Sequence, residues 1–399
     1  MNKIITRFAP SPTGPLHLGS VRTALINYIV TIQAKKVNEE SKFILRIEDT
    51  DKERSKDEYI TNIINSLKWL NIDWDNEIVI QSKNVLRHIE IANELINKKG
   101  AYKCICSSEK IEEIRKKRLK EKMSIKRLCE TCQNDSSIQN LKENYCVRIK
   151  IPNDGSIKIN DLIQGEVSIQ NKEIDNFILL KKDNSPTYML SSVVDDYDSK
   201  INTVIRGNDH FNNAFRQYYI YKYLNWKFPF YAHLPLVHGL DGSKLSKRHG
   251  SVNVYDFKDN GYLPKALINN LILLGWSPNN NSEIIEMDEI IKKFDIKKIS
   301  KSSSIFNYKK LDFFNNYYLK KYFDIDLIKN FYENNYENKI DFKLNHLKIK
   351  NIFEIHKEKI NTIHDFVKII NIYFDTNFTT LPNKILDIKF DKYLQKFKD

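Results

Sequence analysis

The sequence predicts an α/β fold that is built around a parallel sheet. An apolar, β-branched segment at residues 3–8 indicates a strand, and a helix follows because apolar side chains recur at helical spacing after residue 20. A second apolar run, Phe43–Ile47, has the nearly continuous hydrophobic character of a central parallel strand. Strand, helix and strand form a βαβ unit, and ligands bind such units at the carboxyl ends of the strands.

The turn that joins the first strand to the helix, Arg7–Ser20, is the first candidate site. Gly14 and Gly19 allow the backbone to approach a ligand closely, and the N–H groups at the start of the helix favour an anion such as phosphate. His17 adds a side-chain donor at the same place. The alternative is an ordinary connection between strand and helix, because Pro, Ser and Gly are common in any loop.

The segment after the second strand is charged, and Glu48 lies at the carboxyl end of that strand, where a ligand is expected. Ser55–Glu58 has the pattern of a capping box, which predicts the start of an amphipathic helix. Another helix is predicted to run from about Ser82 and to stop at Gly100.

Four cysteines form two close pairs, Cys104 with Cys106 and Cys129 with Cys132. Thiolate ligands on two short loops fit the tetrahedral geometry of a structural zinc site, and four free thiols are the alternative. Cys146 alternates with apolar residues and is expected in the core. An odd total of five cysteines argues against a secreted disulfide framework and for a reducing cytoplasm.

The middle of the chain changes character. From Tyr145 to Val194 the pattern alternates, which predicts an antiparallel β region inserted into the α/β fold. A strand at Ile201–Ile205 is predicted to end in Arg206, and an aromatic-rich helix follows at 211–226, whose tyrosines we expect to divide between core and surface. From about residue 321 the chain is helical by period.

Length and charge set broader limits. A chain of 399 residues holds two to four domains, and a net charge of +13 with an isoelectric point near 9.2 suits a polyanionic partner. Coding in an A+T-rich genome would also raise the lysine content of any protein. No run of 18 or more apolar residues occurs, so we expect no membrane span, and the turn at Arg7 leaves no room for a targeting peptide.

Two motifs then carry a resemblance. His17–Ser20 resembles the HIGH signature of class I aminoacyl-tRNA synthetases, the longer run from Arg7 resembles glutamyl-tRNA synthetases, and Lys244–Arg248 resembles their KMSKS loop. The resemblance implies a class I synthetase fold with a Rossmann-like parallel sheet, an inserted α+β acceptor-binding domain and a C-terminal all-α region. The implied domains are a split catalytic domain (1–81 and 192–240), an acceptor-stem-binding insertion (82–191), a KMSKS-loop and stem-contact helical domain (241–320) and a shortened helical anticodon-binding domain (321–399).

The implied reaction is the attachment of L-glutamate to tRNA-Glu through a glutamyl-adenylate made from ATP with Mg²⁺. By resemblance, the catalytic residues are His17, Gly19, Lys244 and Lys247, and the ATP-binding residues are Pro10, Gly14, His17, Gly19 and Lys247. The positions that match the amino-acid pocket are Arg7, Ser11, Glu48, Tyr188 and Arg206. Charge matching agrees, because arginine pairs with carboxylates and Glu48 suits an α-ammonium group. Asn208 departs from the RGEDH pattern of the family.

The resemblance leaves several alternatives open. Some glutamyl-tRNA synthetases carry zinc with a C-x-C…C-x-H pattern, whereas Cys132 lies one residue beyond that histidine position. By resemblance we expect the second anticodon-binding subdomain of bacterial relatives to be missing, and we expect a monomer. Rival functions are a glutamyl-queuosine tRNA synthetase, a glutaminyl-tRNA synthetase and a non-catalytic RNA-binding relative. The sequence leaves undecided whether tRNA-Gln is charged as well as tRNA-Glu.

Overall fold

The structure is a computed structural model that describes residues 3–122, 126, 129, 131–243, 245, 253–278, 282–336 and 340–374. Contacts divide the chain into two compact units, which are residues 1–256 with 268–307, and residues 257–267 with 308–399. Within the described ranges, none of the helices combines the length and apolar character that crossing a membrane requires.

The described residues of the first unit form both strands and helices, whereas those of the second unit form helices. The strands are β1 (Ile5–Phe8), β2 (Lys42–Ile47), β3 (Val79–Ile80), β4 (Ala101–Cys104), β5 (Cys146–Ile149), β6 (Ser156–Asp161), β7 (Gly165–Gln170), β8 (Ile178–Leu180), β9 (Thr203–Gly207), β10 (Phe230–Leu234), β11 (Val237–His238) and β12 (Ser304–Ile305). The helices are α1 (Leu18–Lys35), α2 (Asp57–Trp69), α3 (Val85–Asn97), α4 (Ser108–Lys120), α5 (Thr131–Asn134), α6 (Ser136–Gln139), α7 (Tyr188–Asp198), α8 (Phe211–Leu224), α9 (Val254–Asp259), α10 (Pro264–Ile272), α11 (Met287–Lys293), α12 (Tyr308–Lys321), α13 (Ile325–Asn335), α14 (His346–His356) and α15 (Ile363–Phe374).

The parallel sheet confirms the predicted α/β class. Strand β2 lies between β1 and β3 and is parallel to both, and β9 pairs in parallel with β10. Helix α1 joins β1 to β2 and buries Val21, Leu25 and Ile29, each of which contributes about 1.5–3 kcal/mol when fully removed from water. The carboxyl ends of β1, β2 and β9 therefore lie on a rigid, buried frame.

The inserted β region is antiparallel, as the alternating pattern predicts. Strand β5 pairs with β4 and β8, while β6 and β7 form a separate hairpin. The burial of β6 alternates strictly between exposed and buried residues, which explains why its period was visible in the sequence. The predicted β region from Tyr145 to Val194 is too long at its end, because Tyr188–Asp198 form helix α7.

Three local expectations are corrected by the structure. The predicted capping box at Ser55–Glu58 is wrong: Lys56 occupies the N-cap of α2 without a side-chain hydrogen bond. Asp57 and Glu58 instead lie in the first turn, where their negative charges stabilise the helix by interacting with the positive end of its dipole. The helix predicted from about Ser82 starts at Val85 after a short 3₁₀ turn, and β9 starts at Thr203 rather than at Ile201, with Arg206 near its carboxyl end as predicted.

In the second unit the described residues up to 374 are mainly helical, as predicted; residues 337–339 and 375–399 lie outside the described part. Gly261 approaches α15 so closely that a Cβ atom built on it would lie 2.8 Å from Cβ of Ile363, and its φ of +76° favours glycine. Asn315 on α12 accepts a hydrogen bond from the backbone N–H of Leu263 at 2.7 Å and donates one to the carbonyl of Asn361 at 2.6 Å. These contacts join the segment before α10 to the helices after residue 308.

Candidate active site

A cleft of about 1180 Å³ opens at the carboxyl ends of β1, β2 and β9. Most of the site residues predicted from the sequence line this cleft, namely Arg7, Pro10, Ser11, His17, Gly19, Glu48, Tyr188 and Arg206. Gly14 does not line the cleft, and a Cβ atom built on it would have no neighbour within 4 Å. Lys244 and Lys247 lie outside the described residues, although Leu245 between them lines the cleft.

The turn after β1 is held in place by backbone contacts with later segments. The carbonyls of Pro10 and Pro12 accept hydrogen bonds from the backbone N–H groups of Glu48 and Lys56, at 3.0 and 3.1 Å. The N–H of Leu16 donates to Oδ1 of Asn62 on α2 at 3.0 Å. Because these partners lie directly after β2, at the N-cap of α2 and on α2 itself, folding of these elements sets the course of the turn.

The start of α1 has the properties of an anion site. His17 is the N-cap, with extended backbone angles and no side-chain cap, and its Nε2 lies 3.3 Å from Oγ of Ser20. No acidic residue occupies the first turn, so no side-chain charge there offsets the positive end of the helix dipole. A Cβ atom on Gly19 would lie 3.5 Å from Nδ1 of His17. Glycine therefore keeps the space beside the imidazole open to a ligand.

A network of buried charges lies at the back of the cleft. Asp196 on α7 accepts a hydrogen bond from Nε of Arg7 at 3.1 Å and one from a terminal nitrogen of Arg46 at 2.7 Å. Arg46 also donates to Oε1 of Glu48 at 3.3 and 3.0 Å. Arg46 is completely buried, and Arg7 is 4% exposed. Such a network is costly to disrupt, because removing one member leaves an unpaired charge out of water.

Glu48 keeps one carboxylate oxygen for a ligand. Its Oε1 is occupied by Arg46, whereas Oε2 makes no hydrogen bond with any residue that the structure describes. Burial raises the pKa of Glu48 above its ordinary value, and the charges of Arg46 and Arg7 oppose that rise. An ammonium group placed against Oε2 would further favour the ionised form.

Arg206 differs from Arg7 and Arg46 in its partners. Its four hydrogen bonds go to Nε2 of His233 at 3.0 Å, the hydroxyl of Tyr188 at 3.3 Å, Oε1 of Gln217 at 3.0 Å and the carbonyl of His210 at 3.1 Å. All of these groups are neutral acceptors, and none of the ion pairs formed by the described residues includes Arg206. The guanidinium is 6% exposed and lines the cleft. A buried cation in this position favours an anionic ligand.

The four cysteines of the two pairs meet as the sequence predicts. Their Sγ atoms all lie within 4.8 Å of one another, with contacts of 3.1 Å for Cys104–Cys129, 3.3 Å for Cys106–Cys129 and 3.6 Å for Cys106–Cys132. Tetrahedral zinc with bonds of about 2.3 Å places its sulfurs roughly 3.8 Å apart. The donor set and its spacing therefore fit Zn²⁺. Cys146 is buried, as predicted.

Gln139 on α6 connects the two cysteine pairs. Its side-chain amide donates to the carbonyls of Lys103 and Cys132 at 2.9 and 2.6 Å, and its Oε1 accepts from the N–H of Lys103 at 2.9 Å. The hydroxyl of Tyr102 donates to the carbonyl of Cys129 at 2.7 Å. The backbone around the thiols is thus held from both sides.

Several residues of the site were not nominated from the sequence. They are Arg46, Asp195 and Asp196 in the charge network, Asp161 and His233 behind Arg206, and Arg22, which donates to the carbonyls of Pro235 and Leu274. A usable signal existed for Asp195 and Asp196, because two adjacent carboxylates on a mostly apolar helix require partners. Burial raises the pKa of Asp195, but hydrogen bonding from His88 and the charge of Arg46 outweigh burial and lower it.

Comparisons with known proteins agree with this fold. A model of the catalytic domain of class I tRNA synthetases (E and Q) matches residues 3–313. The chain belongs to this family, and both the predicted family and the predicted class I fold are confirmed.

The most similar proteins compared carry one name. Glutamate–tRNA ligase 2 of Ehrlichia chaffeensis is 44% identical over 367 residues, which are 91% of this chain and 76% of that protein. Glutamate–tRNA ligase 2 of a Wolbachia species is 43% identical over 82% of this chain and 70% of that protein. A glutamate–tRNA ligase structure from Elizabethkingia meningosepticum, solved in complex with its amino acid, has a TM-score of 0.79 at 30% identity and covers 93% of this chain and 80% of that one.

Proposed function

We propose that this protein is a ligase that attaches L-glutamate to tRNA-Glu, using ATP and releasing AMP and pyrophosphate. The observation that carries the proposal is Arg206, a buried cation in the cleft whose partners are all neutral. Glutamate supplies the missing carboxylate, whereas glutamine offers only a neutral amide. The names of the relatives point to the same amino acid.

The amino acid is held from two sides in this proposal. The guanidinium of Arg206, with the hydroxyl of Tyr188 beside it, binds one carboxylate of glutamate, and Oε2 of Glu48 binds the α-ammonium group. Arg7 and Ser11 complete the pocket. Because Asp196 already neutralises part of the charge of Arg7, Arg7 acts chiefly by orienting the substrate, and Arg206 provides the selective charge.

ATP, which enters with Mg²⁺, binds along the first turn. The residues assigned to it are Pro10, His17 and Gly19, which line the cleft, together with Gly14, which does not line it, and Lys247, which lies outside the described residues; these last two are assigned by family resemblance. The glutamate α-carboxylate attacks the α-phosphate and pyrophosphate leaves, after which a ribose hydroxyl of the terminal tRNA adenosine takes the acyl group. His17 and the start of α1 stabilise the charge that develops on the phosphates, and Lys244 and Lys247, outside the described residues, are assigned to the leaving pyrophosphate. Positioning and charge stabilisation supply most of the rate.

The domain roles follow the predicted boundaries. We assign the parallel sheet (1–81 and 192–240) to catalysis, the insertion (82–191) to the acceptor stem, residues 241–320 to the signature loop and stem contacts, and 321–399 to the anticodon. The exposed helix α4 in the insertion has an excess of basic residues, which suits a phosphate backbone. We also propose that the protein acts as a monomer in the cytoplasm.

The four-thiol cluster is proposed to bind one structural Zn²⁺, which would fix the fold of the insertion. Elemental analysis of protein purified without chelator is expected to give close to one zinc per chain. Cys129→Ser should reduce the zinc content strongly, because it removes the sulfur that contacts both Cys104 and Cys106. The matched control is Cys146→Ser, which changes the buried fifth cysteine outside the four-sulfur cluster and should keep its zinc. Zinc-free wild-type protein with full activity would contradict the assignment.

Charging assays test the function directly. Purified protein should transfer labelled glutamate to transcripts of tRNA-Glu, with AMP formed in proportion. Parallel reactions with tRNA-Gln show whether one or both tRNAs are substrates. Failure to charge either transcript, although the protein is folded and ATP is present, would overturn the proposal; transfer of glutamate to a tRNA base instead of the terminal ribose would support the queuosine-modifying alternative.

A further inference from the structure

Three buried side chains form a line that connects the insertion to the cleft. Asp161 is the last residue of β6, His233 lies in β10, and Arg206 lies in β9. Oδ2 of Asp161 is 2.6 Å from Nδ1 of His233, and Nε2 of the same imidazole is 3.0 Å from Nε of Arg206. Asp161, His233 and Arg206 are 2%, 0% and 6% exposed, so water has little access to any of these contacts.

The hydrogen bonds require one tautomer of His233. An ionised Asp161 can only accept, so Nδ1 of the imidazole donates to it, and Nε2 accepts the N–H of Arg206. The ring is therefore neutral. Burial lowers the pKa of His233 and the nearby Arg206 lowers it further, against the opposing effect of Asp161.

Asp161 is itself held rigidly. Its Oδ1 accepts the backbone N–H groups of Ile163 and Gln164 at 2.9 and 2.8 Å, and its Oδ2 accepts the N–H of His233 at 3.2 Å. Burial raises the pKa of Asp161, but the hydrogen bond from His233 and those from the backbone outweigh burial and lower it. The carboxylate is thus ionised at neutral pH and fixed in direction.

The line ends at Nε of Arg206. Of its terminal nitrogens, Nη1 donates to Tyr188 and Gln217 and Nη2 donates to the carbonyl of His210, which leaves one N–H of Nη2 without a partner among the described residues. The guanidinium also lies over the ring of Tyr231, with 5.1 Å from its central carbon to the ring centre, and that ring stacks on His233 at 5.5 Å. An arginine bound at Nε and stacked on its face has little rotational freedom. The guanidinium is then oriented before a ligand arrives, and its charge together with the remaining N–H favours an anionic carboxylate over a neutral amide.

We propose that Asp161 and His233 are positioning residues for amino-acid selection: through the fixed imidazole they hold Arg206 in the orientation that binds the carboxylate of glutamate. This inference rests on the proposed function, and it extends amino-acid choice to a residue of the insertion. Neither residue needs to touch the substrate.

Two substitutions of His233 separate its two hydrogen bonds. His233→Gln can place its amide oxygen near the position of Nε2, so Arg206 keeps an acceptor. His233→Asn can place its amide nitrogen near Nδ1, so Asp161 keeps a donor and Arg206 loses its acceptor. We expect His233→Asn to raise the KM for glutamate roughly 10- to 100-fold, the usual effect of an unsatisfied buried donor. The KM for ATP and kcat should stay close to those of the wild type, and His233→Gln should restore most of the glutamate KM.

Asp161→Asn tests the other end of the line. The new amide nitrogen would donate a hydrogen bond to Nδ1 of His233, so the imidazole proton would move to Nε2. That Nε2–H would then face the Nε–H of Arg206, donor against donor. We expect the same rise in the glutamate KM and a narrower preference for glutamate over glutamine. A glutamine at position 233 has no ring proton that could move between two nitrogens. Adding Asp161→Asn to His233→Gln should therefore change the glutamate KM little. The matched control is Gln164→Ala, which removes a 3.0 Å hydrogen bond to the carbonyl of His233 without touching the ring.

The measurement is glutamate- and ATP-dependent pyrophosphate exchange in the presence of tRNA, with folding checked by thermal denaturation. If the wild type activates glutamate but folded His233→Asn and Asp161→Asn keep its KM and preference, the inference is wrong and the proposed function stands. If Gln164→Ala raises the glutamate KM equally, or if the effects of His233→Gln and Asp161→Asn on this KM add in the double variant, then Asp161 and His233 have only a structural role. A wild type that does not activate glutamate would overturn the proposed function, and this inference with it.

Discussion

Replacing Arg206 with alanine is expected to raise the KM for glutamate by roughly 30- to 3000-fold, because truncating one member of a desolvated charge pair costs about 2–5 kcal/mol. The cost arises from the glutamate carboxylate, which would enter the cleft without its cation. The side-chain amide of glutamine makes no such demand. The preference for glutamate over glutamine should therefore narrow together with the loss of affinity, and pyrophosphate exchange with each amino acid measures both.

Two control variants test whether this result depends on the positive charge and the planar guanidinium of Arg206. Arg54→Ala removes another cleft arginine, but Arg54 is exposed and already paired with Asp51 at 2.6 Å, so the glutamate KM should change little. Arg206→Lys retains a positive charge without the planar fork and should fall between the wild type and the alanine variant. Full preference for glutamate in folded Arg206→Ala protein would place amino-acid selection elsewhere in the cleft.

The cleft could be predicted from the sequence because the segments that form its first part each have a local sequence pattern. The turn from Arg7 to Ser20 and the strand before Glu48 carry their own patterns, and a parallel sheet brings the carboxyl ends of its strands to one edge. The cysteine pairs were also readable, since close spacing within each pair is itself the signal. For these features, local periodicity and turn chemistry were sufficient.

The partners that complete the site could not be read in this way. Arg46 and Asp196 are separated by 150 positions and Asp161 and His233 by 72, and no local pattern encodes which carboxylate will meet which cation. The sequence nominated Glu48 for a ligand, but it did not show that one of its oxygens would be taken by Arg46. The capping-box error at Ser55 has a similar origin, because a motif of four residues does not reveal whether its side chains turn toward the backbone.

Asp196→Asn is expected to lower the free energy of unfolding of the first unit by about 3–5 kcal/mol, the usual cost of breaking a buried ion pair. The substitution keeps the shape of the side chain and removes its charge. Arg7 and Arg46 would then both lose a charged partner. Because both side chains are buried, water cannot replace that partner. Urea denaturation followed by tryptophan fluorescence is a suitable measurement, because all four tryptophans of the chain lie in the first unit.

The matched control for Asp196 is Glu166→Gln, which neutralises an ion pair of the same 2.7 Å length with Lys158 on the exposed face of the β6–β7 hairpin. Exposed pairs are screened by water and by salt, so this variant should unfold at nearly the wild-type urea concentration. A large loss for Asp196→Asn beside no loss for Glu166→Gln would show that burial, rather than ion-pair distance, determines the contribution. Equal stability of the two variants would contradict this prediction and would mean that Asp195 and Glu48 are sufficient to neutralise both arginines.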